Sequence, residues 1–227
     1  MNDFYTHITI VRRELYAEFV SCLKEHGVSA LFGSLCNGTA QRKTLEYLGL
    51  EETEKVMITA IASGEEIKKI NHDFIYRHHI DVPGNGIALS IPVTSMGSSA
   101  YKYLVSEQMK NGEGERRDMN EMQYALITVI CESGGTDAVM DAARSAGARG
   151  GTVVHAKGTA NDALAQSFFG ISIGAEKEII YIVSKKADKD AIMKAVFEKA
   201  GANTPTKAVL FSMPVDTVVG LRSVTEM

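Results

Sequence analysis

Apolar residues along this chain follow two rhythms, one of period two and one close to four, and the same succession occurs twice. In the N-terminal half, Thr6 to Arg12 is dense in β-branched residues and predicts a strand. Leu15, Phe19 and Leu23 stand four apart and predict a helix that Gly27 can end. Ser29 to Cys36 and Lys55 to Ile61 predict two further strands with a long loop between them. Ile67, Ile70, Phe74 and Ile75 predict a helix over Glu65 to His79, and Ile87 to Val93 predicts a closing strand. The second half repeats the order. Tyr124 to Ile130 reads as a strand, and Val139, Ala142, Ala143 and Ala146 form a helix face ending at Gly147. Thr152 to Ala156 and Glu178 to Val183 read as strands. Asp188 is the expected N-cap of a helix buried through Ile192 and Val196 and stopped by Gly201. Lys207 to Met213 closes the set.

The residues themselves recur as well. Gly27-Val28-Ser29 through Asn37-Gly38-Thr39-Ala40 is matched 120 positions later by Gly147 through Ala160. Ile8-Thr9-Ile10-Val11 is echoed by Ile127-Thr128-Val129-Ile130 at 119, and Ser90-Ile91-Pro92-Val93 by Ser212-Met213-Pro214-Val215 at 122. A unit of this length can bury its own core, which a solenoid repeat cannot. The expected fold class is therefore α+β, two tandem ferredoxin-like βαββαβ domains, each an antiparallel sheet with both helices on one face. The expected division is 1–109 for the first repeat with a C-terminal helix (Tyr101 to Met109), 110–121 for a polar linker, and 122–227 for the second repeat. The strands alternate poorly, so the sheet face away from the helices is expected to pack, most simply on another copy.

Composition narrows the function classes. The chain has 227 residues, 45% of them hydrophobic and 23% charged, which is ordinary for a globular protein. A net charge of −4 offers no concentrated basic face, so no nucleic-acid partner is expected. No apolar run reaches the length of a membrane span, and the first residues lack a signal-peptide layout, so a cytoplasmic location is expected. Cys22, Cys36 and Cys131 are odd in number and form no CxxC pair, which suggests neither a disulfide framework nor a thiolate metal site. No nucleophile elbow, HExxH motif or full Walker loop is present, and the chain is expected not to be an enzyme.

The second copy resembles the nitrogen-regulatory P-II signalling proteins from Tyr124 to Arg222. The carriers are Lys157-Gly158, Glu176-Lys177-Glu178-Ile179, and the tail Pro214-Val215-Asp216-Thr217-Val218-Val219-Gly220-Leu221-Arg222. The first copy is similar at Gly84-Asn85-Gly86-Ile87, which falls on the family's nucleotide loop. The resemblance implies a trimer with adenine nucleotides (ATP, ADP or AMP as effector, with no catalytic cofactor) in clefts between neighbours. It also implies a loop after the second strand that contacts a regulated partner protein, with a membrane transporter or an enzyme as candidates. The implied nucleotide-binding residues are Gly38, Thr39, Gly84, Asn85, Gly86, Lys157, Gly158, Thr159, Lys207 and Arg222. Departures are informative. The family's loop lysine is Ile87 in one copy and Val209 in the other, and Gly220 replaces one of two tail arginines. The first copy thus has the glycines without cations, while the second has Lys207 and Arg222 without glycines. Two units per chain cannot close a ring of three, whereas three chains supply enough for two rings, so a homotrimer is expected.

Each motif has a plainer reading. Pro83-Gly84-Asn85-Gly86 is good turn chemistry in its own right. Gly38 and Gly158 can simply let the chain leave a sheet. Tyr47 falls where the family carries a modifiable tyrosine, yet beside Leu48 it reads better as a packing residue. His78-His79 cannot easily share one ion from adjacent helical positions and reads as a solvated helix end. His7 and His155 read as structural. Two other classes stay open: an ACT-type amino-acid-sensing module, and a structural or metal-tolerance trimer without nucleotide.

Overall fold

The computed structural model describes residues 4–39, 54–96, 121–157 and 176–221. Contacts divide the chain into two compact units. Unit 1 is Met1–Leu35, Lys55–Met122 and Pro214–Met227; unit 2 is Cys36–Glu54 and Gln123–Met213. This division exchanges two segments relative to a cut at the linker: residues 36–54 belong to unit 2, and 214–227 to unit 1. The expected helix at Tyr101 to Met109, the linker core, and Tyr47 with its neighbour Leu48 lie outside the described residues.

In unit 1, β1 (Phe4–Arg12) leads through a short 3-10 turn into α1 (Tyr16–Glu25). Strands β2 (Leu31–Gly38) and β3 (Glu54–Ser63), helix α2 (Gly64–Tyr76) and strand β4 (Gly86–Pro92) follow. The strand order is β2-β3-β1-β4, with the β1–β3 and β1–β4 pairs antiparallel. A short strand from the chain's end, β9 (Thr217–Val219), adds to β4 antiparallel, Ala88 opposite Val219. Sequence periodicity does not foresee β9.

The helices form where their apolar stripes dictate. Phe19, Cys22 and Leu23 of α1 and Ile67, Ile70 and Phe74 of α2 are buried against Tyr5, Val11, Val56, Ile58, Ala60 and Ala62 of the sheet. Phe19 and Phe74 meet edge to face with centroids 4.7 Å apart. Ser63 starts α2 with a reciprocal cap: its hydroxyl accepts from the Glu66 N–H while the Glu66 carboxylate accepts from the Ser63 N–H.

Unit 2 repeats the order as β5 (Tyr124–Glu132), α3 (Thr136–Ser145), β6 (Thr152–Lys157), β7 (Glu176–Lys185), α4 (Lys186–Ala200) and β8 (Val209–Val215). Its strand order is β8-β5-β7-β6, the same permutation as in unit 1. Residues Asn37 and Gly38 pair with Val153 and Thr152 at the free side of β6. Helices α1 and α3 end alike. Gly27 and Gly147 have φ near +83 and +99, and the following N–H groups of Val28 and Ala148 reach back to the carbonyls of Leu23 and Ala143.

Two sequence expectations are corrected. Asp188 is not the N-cap of α4: the helix begins at Lys186, Lys185 is the cap residue without a side-chain bond, and Asp188 lies in the first turn. The register of the first strands also shifts. Thr9 faces Ile58 and Val129 faces Ile180, so β1 and β5 correspond at a displacement of 120 rather than 119. A slip of one residue moves every side chain to the opposite face, and the runs of Ile, Thr and Val hide such a slip because both faces are apolar. On the face away from the helices, Phe4, Ile10, Leu89 and Leu126 are all buried.

Candidate functional site

The turn before β4 is the best-formed of the sequence-predicted positions. Gly84 has φ near +93, the Asn85 N–H donates to the Val82 carbonyl, and Asn85 Nδ2 donates to the His79 carbonyl. A side chain at Gly86 would sit 2.6 Å from the Ile10 carbonyl oxygen and 2.8 Å from Val11 Cγ1. The chain's tail approaches the same turn, because a Cβ at Gly220 would lie 2.4 Å from the Gly86 oxygen. Close backbone approach therefore explains the glycine at 220, where the resembling family has an arginine.

A cation missing from the sequence reading stands at this turn. Arg12, the last residue of β1, donates from Nη2 to Asn85 Oδ1 at 3.1 Å and pairs through Nη1 with Glu14 at 2.8 Å. Its Nε is buried and has no hydrogen-bond partner among the described residues. Arg12 lies opposite Lys55 in β3. Glu54-Lys55 recurs in the sequence as Glu176-Lys177, and the residues facing these two lysines across the sheet, Arg12 and Glu132, occupy the same corner in each unit.

In unit 2 that corner has a different charge. Glu132 takes the place of Arg12 and pairs with Lys177 at 2.6 Å, both side chains being largely withdrawn from solvent. Glu178 accepts from the N–H groups of Gly134 and Thr136 and from the Thr136 hydroxyl. Burial alone would raise its pKa, but these donors and the nearby His155 bring it below the ordinary carboxylate value. His155 is mostly exposed, 4.0 Å from Glu178 Oε1. Burial, reinforced by the Glu178 and Glu132 charges, pushes the Cys131 thiol up to about 12, so it is no nucleophile. Lys207 follows a turn whose Thr206 carbonyl accepts the Glu132 N–H; its own φ is +47, and its N–H bonds to Thr204.

The remaining expected residues fall elsewhere. The Thr39 hydroxyl exchanges bonds with Gly151 N–H and carbonyl, and Arg144 donates to the Thr39 carbonyl, so within unit 2 Gly38 and Thr39 are held against the approach to β6. Lys157 ends β6 opposite Glu176. Gly158, Thr159 and Arg222 lie outside the described residues. Thus Gly84, Asn85 and Gly86 are gathered with Arg12 and Gly220 in unit 1, while Lys207 and the Gly38-Thr39 pair occupy two separate places in unit 2.

His7 and Ser90 lie 3.0 Å apart and look like a nucleophile with its base, yet both are about 1% exposed or less. Thr217 donates to Ser90 Oγ and Asn71 donates to Thr217, so the Ser90 proton points to His7 Nδ1. Burial lowers the His7 pKa to about 4. The chain of bonds is a polar seam holding β9 to β4 and α2, closed to substrate. His78 is also less solvated than expected, its Nδ1 lying 2.5 Å from Glu18.

Residues 124–225 match the family model described as nitrogen regulatory protein P-II. The C-terminal part carries a P-II-like domain. In sequence this P-II-like domain runs from β5 through β9, and its final strand is the one that pairs with β4. No curated protein matches the chain. Solved structures similar to it include an anthrone oxidase-like protein (12% identity, 96% of this chain and 93% of that one, TM-score 0.27). Others are an unknown protein from Galdieria sulphuraria (10%, 94% and 98%, TM-score 0.29) and a microcompartments protein from Desulfitobacterium hafniense DCB (10%, 93% and 95%, TM-score 0.26). Among the described residues, no helix is long and apolar enough to cross a membrane.

Proposed function

We propose that this chain is a tandem P-II-like regulatory protein of the cytoplasm. It binds an adenine nucleotide or a related small metabolite in clefts between subunits and regulates a partner protein through the loop after the second strand of each repeat. Nitrogen regulation is the process that the family resemblance suggests, and a membrane transporter or an enzyme is the kind of target. The observation that carries this reading is the family match over residues 124–225. Support comes from the recurrence of one strand permutation in both units and from Arg12, whose Nε stands at a glycine turn with no hydrogen-bond partner among the described residues. A guanidinium suits a phosphate. The protein is not an enzyme in this reading. Occupancy acts by linkage, shifting loop conformation by the difference in affinity between two states, typically ~1–3 kcal/mol.

Calorimetric titration with ATP, ADP, AMP and a panel of amino acids tests this. Binding of one nucleotide, weakened by Lys207→Ala and by Arg222→Ala with assembly unchanged, is the expected result. Unchanged affinity in both variants removes the site assignment. A second reading, a structural trimer without nucleotide, is favoured by two specific facts: Asn85 is engaged in closing its own turn, and Glu132 and Glu178 line the matching corner of unit 2. Heats of dilution alone across the whole panel would favour it.

A further inference from the structure

We propose that Cys22, His26 and Asp73 of unit 1 form a binding site for a divalent cation of the zinc class. Cys22 and His26 stand four apart at the end of α1, on one face, and Asp73 is presented by α2. Their sulfur, nitrogen and oxygen ligand atoms all lie within 4.8 Å of one another, with His26 Nε2 and Asp73 Oδ2 only 3.0 Å apart. A tetrahedral zinc ion holds its ligands at ~2.0–2.3 Å and therefore sets them about 3.5 Å from each other, so side-chain rotation suffices to close the site. One thiolate, one imidazole and one carboxylate are a borderline-soft set that selects zinc-like ions over magnesium or calcium.

The surroundings favour a cation. His26 is the C-cap of a ten-residue helix, whose terminal carbonyls carry partial negative charge. The sulfur is buried, while His26 and Asp73 keep 20% and 17% of their side-chain surface exposed, leaving a solvent side for a water as fourth ligand. Asp73 is at present engaged by Arg77 at 2.7 Å. Arg77 also reaches Glu25 at 3.3 Å, so a metal that takes Asp73 does not orphan the guanidinium. The plain alternative is that the cluster only ties α1 to α2 through the His26–Asp73–Arg77 bonds.

Cobalt(II) titration of the full chain, stripped with chelator, decides between the two. The expected result is a single equivalent bound with a thiolate-to-cobalt charge-transfer band and tetrahedral visible bands, displaced by zinc. Cys22→Ser abolishes the charge-transfer band. His26→Gln and Asp73→Asn weaken binding by about 100-fold or more, beyond the ~10–100-fold typical of outer-shell changes. Arg77→Gln, by freeing Asp73, tightens binding roughly fivefold, the scale of an exposed ion pair. Absence of the band in the wild-type chain, its survival in Cys22→Ser, or unchanged cobalt affinity in His26→Gln each overturns the proposal. Because Cys22 is buried, circular dichroism accompanies each variant; should Cys22→Ser not fold, the His26 and Asp73 variants decide alone.

Discussion

At the scale of single residues, Gly86 shows how a position can be fixed by a neighbour's backbone. Any side chain there meets the Ile10 carbonyl at 2.6 Å, and backbone cannot rotate away as a side chain can. Gly86→Ala is expected to cost ~1–3 kcal/mol, read as a lowered melting temperature, with unfolding unchanged in kind. His7 makes the second residue-scale prediction. Its folded pKa is about 4 against 6.5 for the free side chain, so the unfolded chain takes up more protons between those values. Stability from the neutral buried ring is complete above pH 6.5 and declines as pH falls toward 4, by up to about 3 kcal/mol. His7→Gln, which keeps an acceptor for Ser90, should flatten the stability profile across that window. A profile as steep as that of the unmodified chain would show that other groups control acid sensitivity.

At the scale of elements, α4 lacks the cap that α2 has. Lys185 at the N-cap makes no side-chain bond, and Asp188 already stands three residues on. Lys185→Ser creates a Ser-x-x-Asp start and should raise stability by about 1 kcal/mol in denaturant titration. The sequence spoke clearly where periodicity was unambiguous. The stripes Phe19–Leu23, Ile67–Phe74 and Ile192–Val196 are all buried, and Gly27 and Gly147 both close helices. It was silent where long-range pairing decides. Three residues at 217–219 become a strand only because β4 offers them an edge. Arg12 reaches its turn across 73 positions, and Asp73 meets His26 across 47. Spacing within one helix, as in Cys22-x-x-x-His26, was legible; the third group was not.

At the scale of the whole molecule, the sheet residues facing away from the helices, Phe4, Ile10, Leu89 and Leu126, are already buried within one chain, so the family resemblance and not an uncovered face carries the assembly prediction. With a P-II-like domain in the chain, the expected assembly is a homotrimer, to be measured by light scattering as three times the mass of one chain. A monomer at micromolar concentration would contradict it. The allocation of segments between the two units has a further consequence during synthesis. The strand that completes the sheet of unit 1, Thr217–Val219, is synthesised after every segment of unit 2, which ends at Met213. Unit 1 therefore cannot complete its sheet until the segments of unit 2 have been synthesised. Nascent chains halted before Thr217 should thus be more readily cleaved by protease in their N-terminal half than the released protein.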